Sequence, residues 1–386
     1  MKNVLVTGSD GFIGKNLLVE LKRINGLKII RFTRRDTLET LKASLKEADI
    51  VYHLAGANRP QRLEEYQSDN FDLTQTILEL LKSAHHFPPI VFTSSIQAEL
   101  ENPYGRSKQQ AETSLMAYQR ETGASVFIYR LPNIFGKWAK PNYNSVVATF
   151  CSNIAHDLEI TISDPNKELE LVYIDDLVEE FVSLLNSPPQ IPSMISSPLP
   201  GHNRSPQISI FRTVQRSFRV SLGTIAEKIH QIRDIRRTSM VPDLSDELMK
   251  RLYATYLSYV EPNGFSYPLE MHKDSRGYLV ELLKSPHFGQ IFLSRSHDGV
   301  LRGNHYHNTK VEKFLVLEGK ALVRLRNLLS QDVLSYAVSG DNIEIVDIPP
   351  GYTHSIENLS SDELIVLFWA SEVFDPNHPD THYLDV

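Results

Sequence analysis

The chain has 386 residues, 41% of them hydrophobic and 23% charged, which is enough for two or three domains with cores of their own. Its 40 basic and 47 acidic residues give a formal net charge of −7, so no overall basic field favours nucleic acid as a partner. The single cysteine, Cys151, excludes an internal disulfide and suits a reducing, cytoplasmic compartment. No apolar run approaches the roughly 20 residues of a membrane-spanning helix, and the first apolar run is too short for a signal peptide.

The first half of the chain alternates short β-rich runs with helical stretches. Its strands are apolar on both faces, which is typical of a parallel sheet covered by helices. The predicted strands are Asn3–Thr7, Leu27–Phe32, Ile50–Leu54, Ile90–Thr93 and Ser125–Arg130, and the predicted helices include Lys15–Lys22, Leu73–Ala84 and Ser107–Glu121.

A stretch rich in proline and serine, residues 187–206, predicts a loop, because proline removes backbone donors and serine bonds locally. Two helices are predicted after it: Leu222–Ile235, capped by Ser221, and Ser245–Leu257. The first half needs these helices to close it, so the boundary is expected near Tyr259–Pro262. The predicted domains are residues 1–258 and 262–386.

From Phe265 onward, short alternating runs recur, separated by glycine, aspartate, asparagine or proline. Regular short strands without long helices indicate an all-β sandwich or barrel of about 120 residues. The predicted strands are Tyr278–Leu283, Gln290–Ser294, Lys313–Leu317, Lys320–Arg326, Asn342–Ile348 and Glu363–Trp369.

A glycine motif, Thr7–Gly14 (TGSDGFIG), directly follows the first strand and opens a helix. Gly8 and Gly11 permit a tight turn whose N–H groups approach a pyrophosphate, and Gly14 lets helix and strand pack closely. The motif therefore predicts a dinucleotide site. The alternative is a glycine turn without a ligand.

The end of the second strand bears on the choice of cofactor. An acidic residue that would bond the ribose hydroxyls of NAD is missing there, and Arg34 and Arg35 can face a 2′-phosphate. NADPH is therefore the favoured cofactor. Exposed arginines with no such role are the alternative.

A tyrosine and a lysine four residues apart, Tyr104 and Lys108, share one face of a predicted helix. An ammonium beside a phenol lowers the phenol pKa from about 10, which suits a general acid for carbonyl reduction. Upstream, Thr93–Ser95 ends a strand, where a serine hydroxyl can bond a substrate carbonyl.

These motifs resemble the extended short-chain dehydrogenase/reductase family, which has an α/β Rossmann-type, doubly wound parallel sheet and acts mainly on nucleotide sugars. The segments His53–Gly56, Arg130–Gly136 (R-x-x-N-x-x-G) and Tyr173–Asp176 add to the resemblance. It implies that Ser95 is the catalytic serine. Ser94 remains a rival, because the segment between Ser95 and Tyr104 is shorter than in most members.

The resemblance also implies which residues bind the cofactor and the substrate. Asn133 matches a substrate-region residue, and Asn142 and Tyr143 are expected nearby. The expected cofactor-binding residues are Gly8, Gly11, Phe12, Ile13, Gly14, Arg34, Arg35, Leu54, Ala55, Gly56, Tyr104 and Lys108.

Three histidines and one glutamate in the second half have the spacing of metal ligands. His305 and His307 are two apart on a predicted strand, Glu312 begins the next strand, and His354 follows a Pro-Pro-Gly turn. Zinc suits three imidazoles and a carboxylate, with iron, manganese or nickel as alternatives. Histidines that serve only in packing are the other interpretation.

This spacing resembles the two motifs of the cupin family, so the second half is expected to be an all-β cupin barrel. Gly299–Gly319 fits the first motif and Pro349–Asn358 the second. Asp274–Glu281 is similar to a segment of cupin-type 4-keto-sugar 3,5-epimerases, although a turn followed by a strand explains it equally well.

The combination of both halves resembles bifunctional capsular polysaccharide enzymes of UDP-N-acetyl-L-fucosamine synthesis. It implies that the cupin epimerises C3 of a UDP-2-acetamido-2,6-dideoxy-4-hexulose. The reductase would then reduce the C4 ketone with NADPH to the L-talose sugar nucleotide, and the enzyme would be a cytoplasmic homodimer. The base that removes the C3 proton is not identified. The alternatives are a purely structural or dimerising cupin, a nucleotide-sugar 4-epimerase and a non-catalytic NADP-binding protein.

Overall fold

The computed structural model describes residues 1–58, 62, 64–186 and 210–386. The predicted loop at residues 187–206 lies outside the described residues. The chain forms two compact units, one of Met1–Ile229 with Arg251–Val260 and one of His230–Lys250 with Glu261–Val386. In the part of the chain that the structure describes, no helix is long and apolar enough to cross a membrane.

The predicted domains, 1–258 and 262–386, stay a prediction, and the compact units divide the chain differently at residues 230–250. Those residues belong with the second unit because their backbone bonds to one of its strands. The Lys284 N–H donates to Ser239 O at 2.7 Å, and the Val241 N–H donates to Lys284 O at 2.7 Å. This long-range pairing has no local signal in the sequence.

The first unit is built on a six-stranded parallel sheet in the order β2-β1-β3-β4-β5-β8. A smaller sheet has the order β6-β7-β9. The strands are β1 (Lys2–Thr7), β2 (Leu27–Phe32), β3 (Ile50–His53), β4 (Ile90–Ser95), β5 (Val126–Leu131), β6 (Asn133–Phe135), β7 (Glu168–Tyr173), β8 (Phe211–Arg212) and β9 (Phe218–Ser221).

Helices cover both faces of the large sheet. The helices are α1 (Phe12–Leu21), α2 (Leu38–Glu47), α3 (Glu64–Tyr66), α4 (Leu73–Ser83), α5 (Pro103–Thr122), α6 (Val146–Ala155), α7 (Ile174–Asn186), α8 (Leu222–Thr238) and α9 (Glu247–Leu257). Val4 and Val6 of β1 pack with α1 and α7. Leu5, between them, packs on the other face with α2, α4 and α5. The predicted Rossmann-type doubly wound sheet is therefore confirmed.

The predicted helices after residue 210 are also present. The Ser221 hydroxyl accepts a hydrogen bond from the Thr224 N–H at 3.1 Å, so Ser221 caps α8 as expected. Three short helices are not α-helical: Gln67–Asp72 is a π-helix, and Ile96–Glu99 and Pro262–Gly264 are 3₁₀ turns.

The second unit carries two antiparallel sheets, in the orders β10-β11-β12-β19-β14-β17 and β16-β15-β18-β13-β20. Side chains of both sheets, such as Val323 and Phe368, form one buried apolar cluster. The all-β prediction is confirmed. The strands are β10 (Met271–Asp274), β11 (Gly277–Ser285), β12 (Gly289–Ser296), β13 (Leu301–Tyr306), β14 (Glu312–Glu318), β15 (Lys320–Asn327), β16 (Val333–Ser339), β17 (Ile345–Ile348), β18 (Tyr352–Asn358), β19 (Leu364–Ala370) and β20 (His382–Tyr383).

Candidate active site and metal centre

A cavity of about 490 Å³ opens at the carboxyl ends of β1, β3 and β4 in the first unit. This edge of an open α/β sheet is where ligands of such folds bind, because the strand order reverses there. The cavity brings together thirteen residues that the sequence singled out: Gly8, Gly11, Phe12, Ile13, Gly14, Leu54, Gly56, Ser94, Ser95, Tyr104, Lys108, Asn133 and Tyr143.

Four of the predicted binding residues are not among the described residues that line this cavity: Arg34, Arg35, Ala55 and Asn142. The Arg34 guanidinium lies 2.5 Å from the Asp69 carboxylate. Asn142 is exposed, and its backbone N–H donates to the Thr149 hydroxyl at 3.0 Å. Their roles toward the cofactor and the substrate therefore stay predictions.

The glycine turn after β1 has the shape of a phosphate cradle. Gly8 has φ +67°, and a Cβ there would lie 2.7 Å from the Ala55 nitrogen. A Cβ on Gly14 would collide with the Gly8 carbonyl oxygen. The turn leads into the N-terminus of α1, which Gly11 caps with no side-chain hydrogen bond, and Gly11 and Phe12 line the cavity. These residues fit a dinucleotide pyrophosphate.

A buried histidine, His53, holds Thr7 at the start of the glycine turn. Its Nδ1 lies 2.9 Å from the Thr7 hydroxyl and its Nε2 lies 2.9 Å from the Thr74 hydroxyl. Burial lowers the His53 pKa to about 3, with the nearby Lys108 charge acting in the same direction, so the imidazole is neutral. His53 thus joins β1, β3 and α4.

The phenol of Tyr104 lies at the start of α5, on the cavity wall. Burial raises its pKa to about 12, and a hydrogen bond with the Ser95 hydroxyl opposes this rise. The expected lowering of this pKa by Lys108 is thus not what the structure shows. At neutral pH Tyr104 holds its proton, which is the form that a general acid needs.

Lys108, one turn further along α5, directs its ammonium to the end of β4. Its Nζ donates to Thr93 O at 2.9 Å and lies 4.9 Å from the centre of the Phe92 ring. Burial lowers the Lys108 pKa to about 8, and the negative charge of Glu112 opposes this lowering. The negative charge of Glu112 therefore helps to keep Lys108 protonated.

The two serines at the end of β4 have different partners. The Ser94 hydroxyl donates to Glu112 Oε1 at 2.5 Å, and Arg130 donates to both oxygens of that buried carboxylate, at 3.0 and 2.7 Å. The Ser95 hydroxyl instead faces Tyr104 and accepts from the Gln97 N–H at 3.2 Å. This arrangement favours Ser95 over Ser94 for the substrate carbonyl. The sequence alone did not single out Glu112.

The second unit brings the four predicted metal ligands together. One ligand atom from each of His305, His307, Glu312 and His354 lies within 4.8 Å of the others. Glu312 Oε2 is 3.3 Å from both His307 Nε2 and His354 Nε2. His305 on β13 is paired directly with His354 on β18.

The protonation and burial of these side chains fit a divalent metal ion. His307 Nε2 and His354 Nε2 are buried and have no hydrogen-bond partner among the described residues. Burial, with His354 beside it, lowers the His305 pKa to about 4, so its imidazole is neutral. Burial opposes ionisation of Glu312, yet the facing imidazoles hold its pKa below the usual range. Imidazole nitrogens and a carboxylate oxygen are a donor set that zinc prefers.

The segment Asp274–Glu281 forms the turn between β10 and β11 and the first half of β11. Hydrogen bonds from Arg276 lower the Asp274 pKa to about 2. These contacts lie within the turn, and a catalytic role of the segment stays a prediction.

Comparison with known proteins matches a known family to each half of the chain. Residues 4–195 match the NAD dependent epimerase/dehydratase family, and residues 272–382 match the polysaccharide biosynthesis C-terminal domain. The chain is 40% identical to the UDP-2-acetamido-2,6-beta-L-arabino-hexul-4-ose reductase of Pseudomonas aeruginosa, over 99% of this chain and 98% of that one. The crystal structure of the capsular polysaccharide assembling protein CapF from Staphylococcus aureus is 42% identical, with a TM-score of 0.87 and full coverage of both chains. The chain belongs to the CapF family.

Membership of the CapF family confirms the resemblance that the sequence motifs indicated. It also confirms the combination of a Rossmann-like first half with an all-β second half. A UDP-glucuronic acid 4-epimerase from Bacillus cereus, in complex with NAD, matches 67% of this chain at 19% identity and a TM-score of 0.54. That likeness shows the fold of the first half alone.

Proposed function

We propose that this CapF-family protein reduces the C4 ketone of a UDP-2-acetamido-2,6-dideoxy-4-hexulose with NADPH, after epimerisation at C3 in its second unit. The product would be UDP-2-acetamido-2,6-dideoxy-L-talose. One observation carries the proposal: Ser95, Tyr104 and Lys108 line the same cavity as the glycine turn. The name of the P. aeruginosa relative, a UDP-hexulose reductase, supports the substrate class.

In the reduction, the chain's own residues handle the proton. The glycine turn would hold NADPH, which would supply the hydride for C4 and become NADP⁺. Tyr104 gives its phenolic proton to O4, so that the ketone becomes a secondary alcohol, and solvent then restores the phenol. The Ser95 hydroxyl donates to O4 while negative charge develops there. The Lys108 ammonium stabilises the phenolate that remains.

Epimerisation must precede reduction, because the C3 proton is acidic only while C4 is a ketone. The second unit is the candidate for this step, and its resemblance to cupin-type epimerases supports the assignment. His305, His307, Glu312 and His354 would hold a zinc ion, which can polarise a carbonyl oxygen or cross-link the three strands that carry its ligands.

Incubation of the full chain with NADPH and the UDP-4-keto sugar in D₂O tests both steps. We expect stoichiometric NADP⁺ and a product of L-talo configuration with deuterium at C3, read by absorbance at 340 nm and by NMR. Release of no NADP⁺ would contradict the reductase. A product that has kept the substrate's C3 configuration and proton would contradict the epimerase. The same assay with NADH tests the predicted role of Arg34 and Arg35.

The buried Glu112 gives a pH-dependent prediction for the reductase. Lys108 is faced by Glu112 on its own helix, by neutral His53 on β3 and by the Thr93 carbonyl on β4. Its charge is present below its pKa of about 8 and is lost as the pH rises through that value. Glu112→Gln removes the charge that raises this pKa. We therefore expect kcat/KM for reduction to fall at lower pH in the variant than in the parent.

Glu99→Gln is the matched control for this measurement. Glu99 also pairs with Arg130, at 2.5 Å, but its side chain is 70% exposed. Removal of the Glu99 charge should leave unchanged the pH at which kcat/KM falls on the alkaline side. If kcat/KM, measured between pH 6 and pH 10, falls at the same pH in Glu112→Gln and in the parent, Glu112 does not raise the pKa of Lys108.

A further inference from the structure

The residues from Pro379 to Asp385 lie against the turn that joins the metal-ligand strands β13 and β14. We propose that this segment is a clamp that positions the metal ligands, and that Asp380 is its principal residue. The inference rests on the metal centre of the proposed function. It assigns a positioning role to residues that the sequence motifs do not include.

The Asp380 carboxylate holds the turn between His307 and Glu312. It accepts hydrogen bonds from three consecutive backbone N–H groups, those of Asn308, Thr309 and Lys310, at 2.9, 3.0 and 3.0 Å. The Thr309 hydroxyl donates to it as well, at 3.1 Å. One carboxylate thereby holds the turn that connects His307, just after β13, to Glu312, the first residue of β14.

The backbone of Asp380 orients one ligand directly. His307 Nδ1 lies 2.5 Å from Asp380 O, so Nδ1 carries the hydrogen and the lone pair of Nε2 faces the cluster. Asp380 has φ +31°, a conformation that residues other than glycine rarely adopt. The hydrogen bonds that the Asp380 carboxylate accepts hold the backbone in this conformation. In this conformation the backbone carbonyl of Asp380 faces His307.

The remainder of the segment contacts the backbone at His305 and next to His354. Strand β20 pairs with β13, with Tyr383 opposite His305. The Leu384 N–H donates to Asn304 O at 2.9 Å, and the Leu384 carbonyl accepts from the hydroxyl of Thr353, the neighbour of His354. The segment therefore contacts β13, β18 and the turn after β13, each at or beside a ligand.

Buried Lys310 strengthens the contact. Its Nζ lies 3.4 Å from Pro379 O and 3.3 Å from the Thr381 hydroxyl, while its N–H bonds Asp380. The turn and the segment thus hold each other through side chains as well as backbone.

Asp380→Asn tests the clamp, because asparagine keeps the size of the side chain but replaces one acceptor oxygen with a donor. We expect the zinc affinity of the full chain to fall about 10- to 100-fold, the range found when partners of metal ligands are removed. Competition with a chromophoric chelator measures it. Loading with Co²⁺ gives a second measurement, since a turned His307 imidazole changes the visible absorption bands.

Asp375→Asn is the matched control. Asp375 also accepts a backbone N–H, that of Asn377 at 2.8 Å, but its remaining contact is with exposed His378. This control should bind zinc like the parent. Thr353→Val, which loses a single hydrogen bond of the clamp, should show a smaller loss. Circular dichroism of the full chain, with the parental spectrum and thermal transition, shows that each variant is folded.

The outcomes separate the clamp from the metal centre itself. Equal zinc affinity and equal Co²⁺ spectra for parent and Asp380→Asn would overturn the clamp and leave the metal centre standing. A parent chain that binds neither zinc nor Co²⁺ would overturn the proposed metal centre, and the clamp with it. A loss confined to Asp380→Asn and Thr353→Val would establish the clamp.

Discussion

Replacing Tyr104 with phenylalanine is expected to lower kcat for C4 reduction by about 10²- to 10⁴-fold, the usual contribution of a positioned general acid. The variant loses the phenolic hydroxyl that faces Ser95 but keeps the ring, whose centre lies 5.7 Å from the centre of the Tyr66 ring. NADPH binding should be retained, because the glycine turn and Lys108 are unchanged in the variant. Single-turnover oxidation of bound NADPH, followed by fluorescence, separates this chemical step from product release.

Tyr118→Phe is the control for this experiment. Tyr118 lies on the same helix, α5, and is fully buried, but it is not among the residues that line the cavity. It should turn over at the parental rate. If Tyr104→Phe also turned over at that rate, the proton would come from another group and the assignment of the first half as a reductase of this type would be wrong.

The parallel sheet was predictable because its sequence signal is local. In β1, Val4 and Val6 face one helix layer and Leu5 faces the other, so a continuous apolar run reports a strand buried on both sides. The five strands predicted in the first half correspond to β1–β5. Four of these strands, β1, β3, β4 and β5, lie between two neighbours in the sheet, whereas β2 is an edge strand.

The residues of β13 lack the apolar alternation from which the other strands were predicted, and only the spacing of His305 and His307 indicated a strand there. Gly303 and His305 take positions where an apolar strand would present leucine or valine, and the register shifts between these two residues. Asn304 has φ +58° at this irregularity. The strand that carries the predicted metal ligand His305 therefore lacks the alternation by which strands are predicted, while the histidine spacing still indicates the site.

The finer electrostatics of the reductase site could not be predicted. Tyr104 and Lys108 are four residues apart, and this spacing predicts one helix face but not how deeply each is buried. Burial sets both pKa values, raising that of Tyr104 and lowering that of Lys108. The choice between Ser94 and Ser95 likewise depends on Arg130, which holds Glu112 from a neighbouring strand. Such long-range contacts leave no mark in a local motif.

Replacing His354 with alanine is expected to reduce the zinc affinity of the chain by at least about 100-fold, more than the loss of a partner outside the ligand set would. His354 is completely buried and lies 3.3 Å from Glu312 Oε2, so no solvent-exposed group can take its place without rearrangement. Deuterium incorporation at C3 of the UDP-4-keto sugar should fall to the uncatalysed level. Reduction of a sugar that already has the inverted C3 should continue at the parental rate.

His297→Ala is the matched control, because His297 is in the same unit but its side chain is 56% exposed, 3.7 Å from Glu363. It should keep parental zinc binding and C3 exchange. Zinc bound by His354→Ala with parental affinity would show that the four residues are not the ligand set. Loss of zinc with undiminished C3 exchange would assign the metal to holding β13, β14 and β18 together, because the inversion would then depend on the surrounding side chains alone.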